Sequence, residues 1–399
     1  MLKLLINEWK SLPKAARRYI IYMTLTTPPL FIWILVPYLM LRVGISVAEA
    51  GAIISLASAC AAGINYLIGR YLDYADPVKV MALICFIEGT SYMIYYEGFL
   101  MRLVALVVTA AVIERLARGL YVVYPVYEYD AYPEDRREKA FMIHNLIPFA
   151  SQLITYPLIG LLISSLSLKD QISSVIAFSI TSFALGALAL VIVPSIGRRK
   201  LGVGGGGGLG RGVPRGLVRV VLALLLLGLG TELTPTIALT YLFMNIARNP
   251  LLSMALYEAL ASLPVVVASL YMLRLSPRKG YLLVITGMSL IAIGDLILGF
   301  TELVLIALGV ALIESLGYAL MDPYLMDTLF ANIPKERRGE VLGAISGIRR
   351  LLCIAGPAVA GFLASINPHI PFIVASATVF IATAVVSSEV RARVEAKVG

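Results

Sequence analysis
Charge is what this 399-residue sequence has little of. Asp, Glu, Lys and Arg make up 14% of it, against roughly 25% in a soluble domain. With 59% hydrophobic residues and a mean hydropathy of +0.89, the chain needs lipid around it, which excludes a soluble globular fold. Histidine is scarce as well: His144 and His369 are the two present, and neither has a ligand partner at helical spacing. No H-E-x-x-H, no D-D-x-x-D and no nucleophile elbow occurs, so the sequence offers no enzyme chemistry. The three cysteines, Cys60, Cys85 and Cys353, lie in apolar stretches without metal-ligand spacing. They read as buried thiols, with no disulfide and no metal site. A cleavable leader is missing too. The basic, amphipathic start, MLKLLINEWKSLPKAARR, runs into a full-length apolar segment without a small-residue cleavage site. Residues 2–12 read as a helix lying on the inner membrane face.

What is present is apolar length. A membrane helix needs about 20 mostly apolar residues. Twelve such stretches occur: 19–41, 48–69, 78–96, 103–126, 140–164, 173–194, 218–242, 250–273, 280–299, 303–326, 341–364 and 370–388, here spans 1 to 12. Between the sixth and the seventh lies Ser195 to Gly216. Its five consecutive glycines, Gly204 to Gly208, hold neither a helix nor a core and make a flexible tether. The tether is basic, with Arg198, Arg199, Lys200, Arg211 and Arg215, and lacks the G-K-[ST] ending of a nucleotide-binding loop. The expected domains are 1–194, a linker at 195–216, and 217–399.

Lys and Arg set the orientation. With the N-terminus inside, 25 of the 33 fall in inner segments, 4 in outer connections (Arg42, Arg102, Lys169 and Arg248) and 4 within spans. Both ends and the tether are therefore expected in the cytoplasm of a cell-membrane protein. The net charge of +9 is explained without a nucleic-acid partner.

The two halves repeat features in order. Thr24-Leu25-Thr26-Thr27-Pro28 in span 1 answers Thr231-Glu232-Leu233-Thr234-Pro235 in span 7. Ile113-Glu114 answers Ile313-Glu314, and Pro133-Glu134-Asp135-Arg136-Arg137 answers Pro334-Lys335-Glu336-Arg337-Arg338. An even number of spans per half makes both halves run in the same sense, related by an axis along the membrane normal. The expected fold is an all-α integral membrane protein with 12 transmembrane helices in two pseudo-symmetric six-helix bundles.

Five further stretches carry a resemblance. Gly69-Arg70-Tyr71-Leu72-Asp73, followed by Lys79, is similar to the G-x-x-x-D-R-x-G-R-R loop between spans 2 and 3 of the major facilitator superfamily of secondary transporters. Ser269 to Lys279, which holds Arg274, is similar to its degraded second copy. Arg115 to Gly119 resembles the family's R-x-x-x-G signature in span 4. Tyr156 to Gly160 and Gly356 to Gly361 resemble the G-P-x-x-G element of spans 5 and 11, which the family associates with antiporters. Tyr74, Leu273 and Tyr156 depart from the family's residues. The resemblance covers nearly the whole chain. It implies that spans 1, 4, 7 and 10 line a central cavity, that the halves rock to expose it to one side at a time, and that a monomer suffices. It also implies an inner gate. Asp73, just past span 2, is placed to face the N-terminal end of span 11. Glu128 and Asp130 end span 4 at the same depth, within reach of Lys79, and Gly69 and Arg274 belong to the same gating set.

The charges within the spans are where function is expected. Each costs about 2.5–3.5 kcal/mol at mid-bilayer, so it persists when paired or facing water. The resemblance gathers Glu114, Arg115, Glu232 and Glu314 near one central site. Glu114 and Arg118 also stand four apart on one helix, in the favourable order for a pair. Glu232 sits beside Pro235, where a kink frees backbone carbonyls. Glu258 and Arg349 complete the substrate or proton set, Arg350 pointing elsewhere from its neighbour. Glu88 reads as an interhelical packing residue, Asp295 as solvated near the outer end of span 9, and Tyr121 and Tyr124 as aromatic-belt residues. Five deep acids against four deep bases favour a cationic or amphipathic solute. The expected function is proton-coupled export of a hydrophobic or cationic small molecule, with the proton ahead of sodium as coupling ion. A proton- or sodium-coupled symporter importing an organic solute, and a non-transporting membrane sensor or enzyme, stay open. Partners are then the solute, the ion and membrane lipid, with no cofactor.

Overall fold
The structure, a computed structural model, describes residues 2–72, 75–133, 137–196, 218–272, 280–332 and 354–398. The glycine tether, Asp73, Arg274, Arg349, Arg350 and Cys353 lie outside the described residues. Among those described, every regular element is a helix.

Seven helices are long and apolar enough to cross a membrane: Lys14–Arg42, Pro77–Met101, Lys139–Ser164, Leu168–Ile192, Pro250–Leu270, Val304–Met321 and Ile370–Ser388. An eighth is bent by 42°, Leu222–Leu233 continuing as Thr236–Ile246. Shorter apolar helices, Val47–Ala62, Leu282–Leu298 and Ile354–Ile366, stand where spans 2, 9 and 11 are expected. Val104–Gly119, which carries three charges, stands at span 4. This order fits twelve spans in two sets of six.

Both T-x-x-T-P sites break their helix. Proline lacks the N–H and crowds the preceding turn. Span 1 passes from Lys14–Thr26 through a 3-10 turn at Pro28–Phe31 into Ile32–Arg42. Span 7 bends just before Pro235, the N-cap of its second segment. Threonines beside each break bond back to the backbone: Thr27 Oγ1 donates to Met23 O at 2.9 Å, and Thr234 Oγ1 to Thr231 O, the carbonyl that Pro235 leaves without its helical donor, at 3.4 Å. Helix starts are capped in the usual way, Asp76 accepting from Val78 N at 3.0 Å ahead of Pro77.

Packing differs at the two ends of the molecule. The largest buried cluster draws on both halves, from Phe31, Leu35 and Tyr156 to Phe243, Met254 and Phe372. It lies toward the end that carries the turns at 43–46, 102–103 and 247–249. There the halves touch backbone to backbone. A Cβ added at Gly51 of span 2 would collide with the Pro357 carbonyl oxygen, and would lie 3.1 Å from Gly361 Cα in span 11. Ser55 Oγ accepts from Ala358 N at 2.9 Å, and Asn249 Nδ2 donates to Ser164 Oγ at 3.1 Å. Toward the other end the buried clusters stay within one half. One gathers Tyr19, Met81, Tyr127 and Ile143, the other Val284, Met288, Met321 and Val379.

The N-terminal helix, Leu2–Ser11, rests Leu5 and Trp9 on the first of these clusters. Lys139 Nζ meets its Glu8 Oε1 at 2.6 Å. One expectation is corrected. Cys85 is buried, 3.4 Å from the Tyr22 hydroxyl, but Cys60 is exposed. An apolar stretch around a residue does not say which way its side chain points, and in a membrane protein the outward side meets lipid.

Candidate functional site
Beneath the closed end, between the halves, lies a cavity of about 230 Å³. Span 1 contributes Trp33 and Met40, span 4 contributes Glu114, Arg115 and Arg118, and span 7 contributes Glu232 and Pro235. Tyr95 of span 3 and Pro357 of span 11 complete the wall. The two kinked helices and the charged helix therefore meet at one place.

The charges have distinct partners. Glu114 is held at both oxygens: Arg118 pairs with Oε1, and the Tyr95 hydroxyl donates to Oε2 at 3.0 Å. Arg118 lies over the Trp33 ring, 4.2 Å from its centroid, a desolvated cation–π contact. Arg115 forms no ion pair among the described residues, though it lies close enough to Glu114 and Glu232 to feel their charge. Glu232 packs against Gly356 of span 11. With two acids and two bases, the described wall is electrically balanced. Two buried donors on it, Trp33 Nε1 and Arg118 Nε, have no hydrogen-bond partner among the described residues.

Residues 19–357 match the sequence model of the Major Facilitator Superfamily. The chain belongs to this superfamily. It is a multi-pass membrane transporter and not an enzyme. No curated protein matches the sequence. Among solved structures, a bacterial homologue of the iron transporter ferroportin in its inward-facing state is 15% identical, at a TM-score of 0.72, over 95% of this chain and 99% of the other. The same homologue in its outward-facing state, soaked with iron, is 14% identical at 0.59, over 94% and 98%. A D-xylose–proton symporter is 17% identical at 0.70, over 92% and 96%.

Of the expected site residues, Glu114, Arg115, Arg118 and Glu232 line the superfamily cavity. Glu258 and Glu314 are not on its wall. Both sit inside the second half, where the Tyr257 hydroxyl donates to Glu314 Oε2 at 2.5 Å. Gln152 Nε2 of span 5 donates to the backbone oxygen of Glu258 at 3.3 Å. Glu88 accepts an interhelical hydrogen bond from Tyr121, the packing role expected of it. Tyr121 is correspondingly no belt residue: it stacks on Trp33, 6.2 Å between centroids, and edges onto Tyr124 at 5.4 Å. Asp295 is not solvated but 4% exposed.

At the opposite end from the closed contact, Gly69 lies in the helix Val47–Leu72, and Lys79 and Asp130 are exposed. Glu128 meets neither Lys79 nor the second half. It is buried, accepts from the Tyr19 hydroxyl at 2.7 Å and lies 3.5 Å from His144 Nδ1. Burial pushes its carboxyl above the usual carboxylate range, against the pull of the Tyr19 hydrogen bond. Trp33 is the wall residue that the sequence did not single out. Its signal was its place one turn beyond the Pro28–Pro29 break, on the stretch of span 1 that faces the cavity.

Proposed function
We propose that the protein is a secondary active transporter that holds a small solute in this cavity and exports a hydrophobic or cationic molecule in exchange for protons. The carrying observation is the cavity itself, shut at one end by glycine-to-backbone contact and lined by aromatic and basic groups of the first half and by an acid from each half. Trp33, Tyr95 and Met40 give an apolar body a surface. Glu232 stands on the half opposite Glu114, so its surroundings change when the halves rock, which suits a solute cation or a proton. The higher TM-score against the inward-facing ferroportin homologue than against its outward-facing form supports placing the open end at the cytoplasm. That agrees with the Lys and Arg count. Gly69, Lys79 and Asp130 are then gate candidates at the open end, the resemblance adds Asp73 and Arg274 to that set, and Glu128 belongs instead to the buried Tyr19–His144 cluster.

Import of an organic solute that carries a carboxylate is the second reading. It is favoured by Arg115, which has no ion pair among the described residues. Thermal-shift titration of the purified protein with amines, carboxylates and neutral sugars separates the two. Stabilisation by amines, lost in Glu232→Gln, is expected. Stabilisation by carboxylates, lost in Arg115→Gln, would replace the first reading with the second. Stabilisation by none of them, with no flux in proteoliposomes, would remove both.

A further inference from the structure
We infer that the second half carries a proton site of its own, apart from the central cavity, in which one proton is shared between the carboxyl groups of Asp295 in span 9 and Glu314 in span 10. Its coupling role rests on the transport reading above; the site itself does not.

The two halves can be set in register around these residues. Leu103-Val104 and Leu303-Val304 open spans 4 and 10, and Ile113-Glu114 and Ile313-Glu314 follow at the same offset of 200. On that register Tyr95 corresponds to Asp295, Glu114 to Glu314 and Arg118 to Tyr318. In the first half the phenol donates to the acid and the guanidinium neutralises it. In the second half an acid stands where the phenol was, and a phenol where the guanidinium was. Equivalent places thus hold one acid and one base in the first half, and two acids in the second.

The local geometry leaves room for one proton. Asp295 is 4% exposed, its carboxylate makes no hydrogen bond among the described residues, and it lies close enough to Glu314 to feel that residue's charge. Glu314 packs against the residue before it: a Cβ added at Gly294 would lie 2.5 Å from Glu314 Cγ and 3.1 Å from Oε1. Glu314 Oε2 is taken by Tyr257, whereas Oε1 is buried and has no hydrogen-bond partner among the described residues. Two buried carboxylates side by side repel, and a proton on one turns repulsion into an O–H donated to the other. The proton comes from water on one side of the membrane and returns to water on the other; no other bond is made or broken.

The remaining ionisable groups are few. From span 8, Tyr257 donates and Glu258 adds a further negative charge. Tyr318 lies one turn along the helix of Glu314. Span 12 packs against span 9 through Ser376, which donates to Ala292 O at 2.7 Å, and residues 370–388 hold no ionisable side chain. Arg349 and Arg350 of span 11 lie outside the described residues. A proton is favoured over a metal cation because, among the described residues, no three His, Cys, Asp or Glu side chains converge to hold one.

The test is infrared difference spectroscopy of the full-length protein in lipid, between acidic and alkaline buffer. It reads the carbonyl stretch of a protonated carboxyl. The expected result is one titrating band, lost in Asp295→Asn and in Glu314→Gln and kept in Glu88→Gln, with proton-driven solute accumulation lost in the first two. Asp295→Asn, whose side chain gives up no hydrogen bond, decides the matter if Glu314→Gln does not fold. A band that survives both substitutions overturns the site. So does the absence of any band, the outcome if a guanidinium neutralises the pair, or a band removed by sodium at fixed pH. Bands that behave as expected without solute flux would sink the transport reading and leave the site standing.

Discussion

Glu114 and Glu314 occupy corresponding places in the two halves, and their surroundings have diverged. Glu114 has a phenol on one oxygen and a guanidinium on the other, so its charge is matched and its position fixed. Glu314 has a phenol on one oxygen, an orphan on the other and a second acid beside it. The first arrangement builds a wall of matched charge held by its own partners. The second is short of a donor, and a proton supplies one. A duplicated bundle can therefore assign shape to one copy and titration to the other without altering the helices.

The largest test of this contrast converts one half into the other. Tyr318→Arg gives Glu314 the base that Glu114 already has; the protonated-carboxyl band and proton-driven accumulation should both disappear, as read by infrared spectroscopy and proteoliposome uptake. A smaller effect is expected from undoing the first half. Arg118→Leu strands Glu114, and for a pair in which the Arg118 side chain is 26% exposed the cost is about 2–3 kcal/mol, below that of a fully buried pair. Thermal unfolding measures it, and Glu114→Gln with Arg118→Leu should recover part of the loss. Simple additivity would mean that the two do not act as a unit. The smallest effect belongs to Glu128, a buried acid that has a hydrogen-bond donor and no second acid. Its raised native value means that the folded protein holds this proton more tightly than the unfolded chain. Stability is then fullest below the unfolded value and falls as pH rises through the native one. Glu128→Gln should flatten that slope in a pH series of unfolding midpoints and leave the protonated-carboxyl band in place.

Much of the architecture was legible because hydropathy is written along the chain. The helices fall where the apolar runs lie, and both breaks fall at the T-x-x-T-P prolines. Glu114 and Arg118 were legible as a pair because their contact is one helical turn long. Contacts between helices were not. Tyr121 was read as a belt residue, and nothing in its neighbourhood announces Glu88, 33 positions earlier. Asp295 was read as solvated from its distance to the helix end, yet its neighbours bury it. Its correspondence to Tyr95 was present in the sequence, but the identity of the residue had changed, and only the spatial closeness of both to the Glu114 and Glu314 positions makes the match meaningful. Gly51 and Gly361 were invisible as partners for the same reason, being 310 positions apart.

Those two glycines set how the molecule opens. Where helices 2 and 11 touch, the described residues meet through glycine and backbone, with no ion pair among them. Parting them forfeits van der Waals contact and the single bond from Ala358 to Ser55. On the transport reading proposed above, a joint of that kind latches weakly, so occupancy of the chamber below, rather than the strength of the lid, decides which face of the membrane the cavity shows.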